Sequence, residues 1–102
     1  MSLLVIDVGT SSVRASVVAP NATVSGMHRR AVLPSTPAPG FVELDARELA
    51  GAVLDVARAA IEHAGPVDAV GVANQRATTI VWDRETGEPV GPGIGWQDQR
   101  TV

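Results

Sequence analysis

Apolar residues along the first third of the chain follow patterns that are typical of strands. The run at 3–6 is continuously apolar and predicts a central strand that is buried on both faces. Apolar residues alternate partly at 13–18, which predicts a second strand, and residues 26–33 supply a third. The pair Pro20-Asn21 favours a turn between the second and third strands.

A different spacing follows, and it predicts one amphipathic helix. Asp45 stands three residues before Glu48, which is the capping-box arrangement of a helix start. Gly65 and Pro66 end the helix, with the glycine in the left-handed cap position. The apolar residues that recur at helical spacing are Leu49, Val53, Val56, Ala57, Ala60, Ile61 and Ala64.

The rest of the chain reads as loops and short strands. Residues 34–40 hold three prolines without periodicity, so they form an extended surface loop. Residues 68–73 predict another buried strand and residues 78–83 a further one. Thr86-Gly87 predicts a turn, after which the chain leads into 94–96. Three strands, a helix, a strand and a hairpin-like continuation make an α/β fold with a mixed sheet and one main helix.

The composition of the chain argues against several kinds of function and partner. With 102 residues the chain is one small domain at most. A net charge of −3 argues against a nucleic-acid partner, and the run His28-Arg29-Arg30 is expected to edge a strand with solvated charges. The chain has no cysteine, so it has no disulfide framework or thiolate metal site. No secretion signal and no apolar run of about 20 residues are present, which predicts a cytoplasmic protein without a membrane partner.

The turn between the first two predicted strands carries the first candidate chemistry. Small hydroxyl residues crowd its tip, and such a turn offers several N–H and O–H groups to a phosphate at once. A carboxylate at the strand end can hold Mg²⁺, and a guanidinium on the return strand can grip a phosphate oxygen. An ordinary β-hairpin with a hydroxyl-rich loop is the alternative. The residues concerned are Asp7, Gly9, Thr10, Ser11, Ser12 and Arg14.

Two further segments carry a resemblance that covers essentially the whole chain. Residues 39–45 read PGFVELD, and residues 71–101 contain the runs N-Q-R-A-T-T, W-D-R-E-T-G and W-Q-D-Q-R-T. Together with D-V-G-T-S-S-V-R at the start, they resemble the N-terminal part of FGGY-family carbohydrate kinases, most closely the glycerol kinase branch. The resemblance implies that residues 1–102 are the N-terminal portion of lobe I, an RNase H-like half-domain of the actin-like ATPase fold. Members are several times longer, so the chain looks truncated.

The resemblance also implies an activity and its site. The parent would be an ATP-dependent kinase that uses Mg²⁺ and phosphorylates a sugar or polyol hydroxyl. The first-turn residues would meet the Mg²⁺-nucleotide phosphates, with Asp7 toward the metal, while Gln75, Arg76 and Trp96 would meet the substrate. The catalytic aspartate and the adenine pocket are expected beyond residue 102, so the chain alone is expected to be inactive. The resemblance leaves open whether the parent enzyme is a homo-oligomer.

Some positions depart from the glycerol kinase pattern, and others could have a purely structural role. Glutamate follows the arginine of the N-Q-R run in glycerol kinases, whereas Ala77 stands here, so the resemblance supports a sugar or polyol more firmly than glycerol. Gln75 and Arg76 could instead clamp a loop, and Trp96 could be core packing, the role expected for Trp82. Val13 replaces a hydroxyl residue and is expected to pack.

A function of another class remains as the alternative. The D-x-G-T turn occurs across actin-like ATPases, so the chain could be a non-catalytic nucleotide-binding or scaffolding module. The N-Q-R and W-Q-D runs separate the two hypotheses, because such modules have no reason to keep a sugar site.

Overall fold

The computed structural model describes every residue from 1 to 102. One helix and six strands follow in chain order: β1 (Leu3–Val8), β2 (Ser12–Val18), β3 (Val24–Ala31), β4 (Glu43–Leu44), α1 (Ala46–Ala64), β5 (Ala69–Asn74) and β6 (Gly93–Ile94). The predicted succession of three strands, a helix and a strand is confirmed, with the unpredicted two-residue β4 added between β3 and α1. The third strand begins at Val24, two residues before its predicted start at Gly26.

The main sheet has the strand order β3-β2-β1-β5. β1 runs antiparallel to β2 and parallel to β5. Parallel neighbours require a crossover, and α1 lies within the connection that returns the chain to β5. The carboxyl ends of β1 and β5 therefore lie at the same edge of the sheet, which brings the Gly9 turn close to Gln75. β3 is an edge strand, as expected for the run His28-Arg29-Arg30.

The core lies between α1 and one face of this sheet. Successive side chains of a strand point to opposite faces. Leu4 and Ile6 of β1 are accordingly buried, whereas Val5 is 37% exposed. β1 is therefore buried on one face, and the prediction of two buried faces was wrong. Other core residues come from β2, from α1 and from the segment after β3: Val13, Ala15, Val17, Val32, Ala52, Val56, Ala57 and Ala60.

Both predicted helix ends are confirmed, although the ψ of −176° at Gly65 differs from the left-handed cap conformation that was predicted for it. The Asp45 side chain accepts hydrogen bonds from the main-chain N–H groups of Arg47 (2.9 Å) and Glu48 (3.1 Å). Gly65 has a φ of +93°, which favours glycine, and its N–H donates to the carbonyl oxygen of Ile61 at 2.7 Å. No helix of this structure combines the length and the apolar character that crossing a membrane requires.

The prediction that β5 is buried was wrong, because all six of its residues are exposed. Val70 pairs with Leu4 and Val72 with Ile6, so both valines lie on the helix side of the sheet. α1 packs mainly over β2 and β3, however, and leaves β5 uncovered. Val70 and Val72 are 55% and 63% exposed as a result.

The predicted strand at 78–83 is also absent. Thr79 and Trp82 make only isolated antiparallel pairs, with Ile94 and Pro89 respectively. Proline has no N–H group, so Pro89 and Pro92 on the returning segment interrupt any continuous ladder. The segment is nevertheless hairpin-like, with a turn in which the N–H of Gly87 donates to the carbonyl oxygen of Asp83 at 2.8 Å.

Candidate functional site: a hydroxyl-rich turn beside an exposed tryptophan

The turn after β1 is tight, and Gly9 makes it possible. The N–H of Gly9 donates to the carbonyl oxygen of Ser12 at 2.9 Å. A Cβ at Gly9 would lie 2.9 Å from that same oxygen, closer than side chains tolerate. Glycine at this position therefore serves the close approach of two main-chain segments. Its own N–H is used inside the turn and is not available to a ligand.

The donors that remain available are at the tip. The main-chain N–H groups of Thr10 and Ser11 donate to no group of the chain. Ser11 is exposed, and the hydroxyls of both residues stand beside these amides. Adjacent free amides and hydroxyls are the kind of donors that can bind a phosphate oxygen. Val13, by contrast, is fully buried, as expected for a packing residue.

Asp7 and Arg14 face each other across the β1–β2 hairpin. Arg14 Nη2 donates to Asp7 Oδ2 at 3.0 Å, and both side chains are about half exposed. Exposed ion pairs of this kind contribute only about 0–1 kcal/mol. Each partner can therefore exchange this contact for a stronger one with a metal ion or a phosphate at little cost.

Gln75 connects the end of β5 to the hydroxyl-rich turn. Its main-chain N–H donates to the carbonyl oxygen of Val8 at 3.0 Å. Its side-chain Nε2 donates to the carbonyl oxygen of Gly9 at 3.0 Å, and its Oε1 accepts from Thr78 Oγ1 at 2.8 Å. Both ends of this amide are occupied within the chain, as the loop-clamp interpretation requires.

The side chains of Arg76 and Ala77, unlike that of Gln75, make no hydrogen bond within the chain. Arg76 is exposed, and its guanidinium makes no hydrogen bond or ion pair within the chain. Ala77 is also exposed and has a φ of +61°, a left-handed conformation that residues with a Cβ seldom adopt. The backbone is thus strained directly after the one cation of this loop that is available to a ligand.

Trp96 reaches the same turn from the other end of the chain. Its indole Nε1 donates to Thr10 Oγ1 at 3.1 Å. The residue is 53% exposed, so it is not a core residue. Trp82 is 61% exposed, and the prediction that it packs in the core was wrong. It instead lines an open apolar groove of about 630 Å³ together with Val8, Leu49 and Val53.

A second polar cluster holds the segment around Trp96 in place. The Asp98 side chain is only 2% exposed, and it pairs with Arg100 Nη2 at 2.7 Å. Arg100 also pairs with Glu43 and lies over the Phe41 ring, its Cζ 4.0 Å from the centroid. The hydrogen bond from Arg100 is the main reason why the pKa of Asp98 lies well below its usual value, while desolvation opposes it. The same contacts raise the pKa of Arg100.

Asp98 and Arg100 thus form an ion pair, and the structure shows what the pair does. The N–H of Val42 donates to Asp98 Oδ2 at 2.6 Å, which ties β4 to the segment that follows β6. Sequence reasoning missed Thr78, whose hydroxyl bonds both Gln75 and the main chain of Trp96. Its only signal in the sequence is a hydroxyl directly after the N-Q-R-A run.

The fold and its structural neighbours together define a class of protein. A crossover helix, a parallel strand pair and a hydroxyl-rich turn at their carboxyl edge make a half-domain of the actin-like ATPase fold. Residues 2–102 match the FGGY family of carbohydrate kinases, N-terminal domain. The chain belongs to the FGGY family of carbohydrate kinases, as the sequence resemblance predicted.

Relatives and solved structures agree with this assignment. The glycerol kinase of Bordetella pertussis is 45% identical over 104 residues, which cover 98% of this chain and 20% of that protein. The glycerol kinase of Plasmodium falciparum, solved with ADP, superposes with a TM-score of 0.91 at 26% identity, over 97% of this chain and 21% of that one. The chain spans about a fifth of the length of the curated relatives it matches.

A third comparison concerns the fold alone. The xylulose kinase of Rhodospirillum rubrum has a TM-score of 0.90 at 24% identity, over 98% of this chain and 21% of that one. The same half-domain thus occurs in kinases named for different substrates. The fold by itself therefore does not tell whether the substrate is a triol such as glycerol or a ketopentose such as xylulose.

Proposed function

We propose that residues 1–102 are the N-terminal portion of lobe I of an ATP-dependent kinase that phosphorylates a sugar or polyol hydroxyl. One observation carries the proposal. The indole of Trp96, a candidate substrate residue, lies 3.1 Å from the hydroxyl of Thr10, a candidate phosphate residue. A phosphoryl donor and an alcohol bound at these two residues would be neighbours, and phosphoryl transfer depends on such positioning.

The nucleotide side of this site is the hydroxyl-rich turn. The free amides of Thr10 and Ser11, with their hydroxyls and that of Ser12, would bind phosphate oxygens. Arg14 would release Asp7 and contact a phosphate. Asp7 fits Mg²⁺, since this ion takes one or two carboxylates together with waters and phosphates. When bound, the ion would neutralise charge on the phosphates.

The alcohol side lies at the end of β5 and after β6. Arg76 offers an unpaired guanidinium for a substrate hydroxyl. Trp96 offers a flat apolar wall for the C–H groups of a carbon chain. Ala77 has no polar group, so the site is larger and less polar there than one with glutamate. On this proposal a longer substrate such as a ketopentose or a pentitol would fill this space.

Neither carboxylate of this site is expected to act as the catalytic base, since Asp7 is the candidate metal ligand and Asp98 is already paired. Asp98 is the nearest carboxylate to Trp96 in sequence, but its oxygens are taken up by Arg100 and by the N–H of Val42. A base must be free to accept the proton of the alcohol. We therefore expect the 102-residue chain to transfer no phosphate by itself. Phosphorylation above background by chain, Mg-ATP and sugar would contradict this.

The test is an assay of the full-length enzyme with Mg-ATP against a panel of trioses, ketopentoses, pentitols and glycerol. Turnover of at least one alcohol is expected, with Arg76→Ala raising its KM. No turnover on any of them would overturn the proposal. Nucleotide binding without turnover would point instead to a non-catalytic nucleotide-binding module.

A further inference from the structure

Four hydrogen bonds form a closed ring that joins the hydroxyl-rich turn to the segment after β5 and to Trp96. Gln75 Nε2 donates to the Gly9 carbonyl oxygen at 3.0 Å, and Thr78 Oγ1 donates to Gln75 Oε1 at 2.8 Å. The main-chain N–H of Trp96 donates to Thr78 Oγ1 at 3.2 Å, and its indole Nε1 donates to Thr10 Oγ1 at 3.1 Å. We call these contacts the turn–tryptophan ring.

The directions of these bonds are mutually consistent. A hydroxyl has one proton, and that of Thr78 goes to Gln75 Oε1 while its oxygen accepts from Trp96. Because Gln75 uses its oxygen toward Thr78, its NH₂ group faces Gly9, where only an acceptor is available. Thr78 is therefore the member that orients Gln75 and anchors the main chain of Trp96 at once.

Trp96 depends on this ring more than a core residue would. It is 53% exposed, so packing fixes its indole less than it fixes a buried side chain. We propose that Thr78 is a positioning residue that holds Trp96 and Gln75 to the hydroxyl-rich turn. Binding at either side would then be coupled to the other. The coupling rests on the proposed function, whereas the ring itself does not.

Coupling follows from what the two sides share. The Thr10 hydroxyl accepts the hydrogen bond of the Trp96 indole, so a phosphate that binds this hydroxyl would also fix the indole. In return, a carbon chain that packs against the indole would fix the Thr10 hydroxyl. Ligands that order the same element bind with positive cooperativity. The pair Thr78→Val and Thr78→Ser tests this, because only serine keeps the hydroxyl. Thr79→Val is the matched control, since the Thr79 hydroxyl makes no hydrogen bond within the chain.

The first experiment examines the ring without any ligand. The full-length enzyme is labelled with 5-fluorotryptophan, and the ¹⁹F signal of Trp96 is assigned with Trp96→Phe. Thr78→Val should shift this signal toward its position in unfolded protein, while Thr78→Ser and Thr79→Val should leave it in place. An unmoved signal in Thr78→Val would overturn the proposal whether or not the enzyme has kinase activity.

The second experiment measures the coupling in the same enzyme. Glycerol and xylulose are titrated with and without Mg-ADP, and steady-state kinetics are run in parallel. Thr78→Val should reduce the enhancement of alcohol affinity by Mg-ADP about tenfold, raising the alcohol KM more than it lowers kcat. Thr78→Ser should restore both. Unchanged coupling in Thr78→Val, or an equal effect of Thr79→Val, would overturn the inference. Absence of turnover in the unmodified enzyme would refute the proposed function alone.

Discussion

Ala77 is the residue at which the chain departs from the glycerol kinase pattern, and it follows the unpaired Arg76. We predict that Ala77→Glu in the full-length enzyme shifts preference toward glycerol. A gain of about tenfold in relative glycerol kcat/KM corresponds to about 1.4 kcal/mol, near the lower limit for one charged hydrogen bond. Ala77→Gln, which adds similar bulk without the charge, should give a smaller shift. Unchanged relative specificity in Ala77→Glu would mean that position 77 does not face the substrate.

The backbone of Ala77 makes a second prediction possible at the same residue. Its φ of +61° lies in the left-handed region, which costs a residue with a Cβ about 1–2 kcal/mol. Ala77→Gly removes that cost but adds about 0.5–1 kcal/mol of chain entropy. We therefore expect a net stabilisation of up to about 1.5 kcal/mol in urea unfolding. Destabilisation would show that the left-handed conformation is not populated in solution.

The start of α1 depends on a single side chain. Asp45 accepts from the N–H groups of Arg47 and Glu48, which have no acceptor inside the helix. Asp45→Ala should lower the free energy of unfolding by about 0.5–2 kcal/mol. Asp45→Ser should keep most of the stability, because serine can also cap the helix. Urea denaturation followed by far-UV circular dichroism measures both. Equal losses in the two variants would contradict a capping role.

The contact between β4 and the segment after β6 should depend on pH. Arg100 lowers the pKa of Asp98 below its value in the unfolded chain. The unfolded state then binds the proton first as pH falls, so the carboxylate stabilises the fold fully above about pH 4 and progressively less below it. The difference in unfolding free energy between the unmodified chain and Asp98→Asn should shrink from pH 6 to pH 3. Glu62→Gln, at an exposed helix position, serves as the control. A constant difference would contradict the lowered pKa.

On the scale of the whole molecule, β5 is an uncovered edge strand. Its six residues are uncharged, and Val70 and Val72 are exposed. Such edges pair with other chains. We predict that the isolated 102-residue chain self-associates at micromolar concentration in sedimentation velocity. Val72→Lys should reduce the association. Val81→Lys, which adds the same charge at an exposed loop position, should not. A monomer at all concentrations would contradict the prediction.

Much of the fold could be predicted because local patterns carried it. The spacing of apolar residues in α1, its Asp45 cap and its Gly65 end are properties of neighbouring residues. The succession of strands and helix along the chain could be predicted in the same way. The burial of β5 could not be predicted locally, since an apolar run indicates a buried strand only if another element covers it. Here α1 covers β2 and β3 instead.

The candidate site likewise has a part that the sequence determined and a part that only the tertiary structure decided. The sequence by itself determined which residue types are present, their place after strands, and membership of the FGGY family. Only the tertiary structure decided that Trp96 bonds Thr10, 86 positions away in the chain, and that Thr78 closes the ring between them. The physical reason is that the parallel pairing of β1 with β5 brings their carboxyl ends to one edge. Distances between loops that meet there depend on that pairing and are not encoded in local spacing.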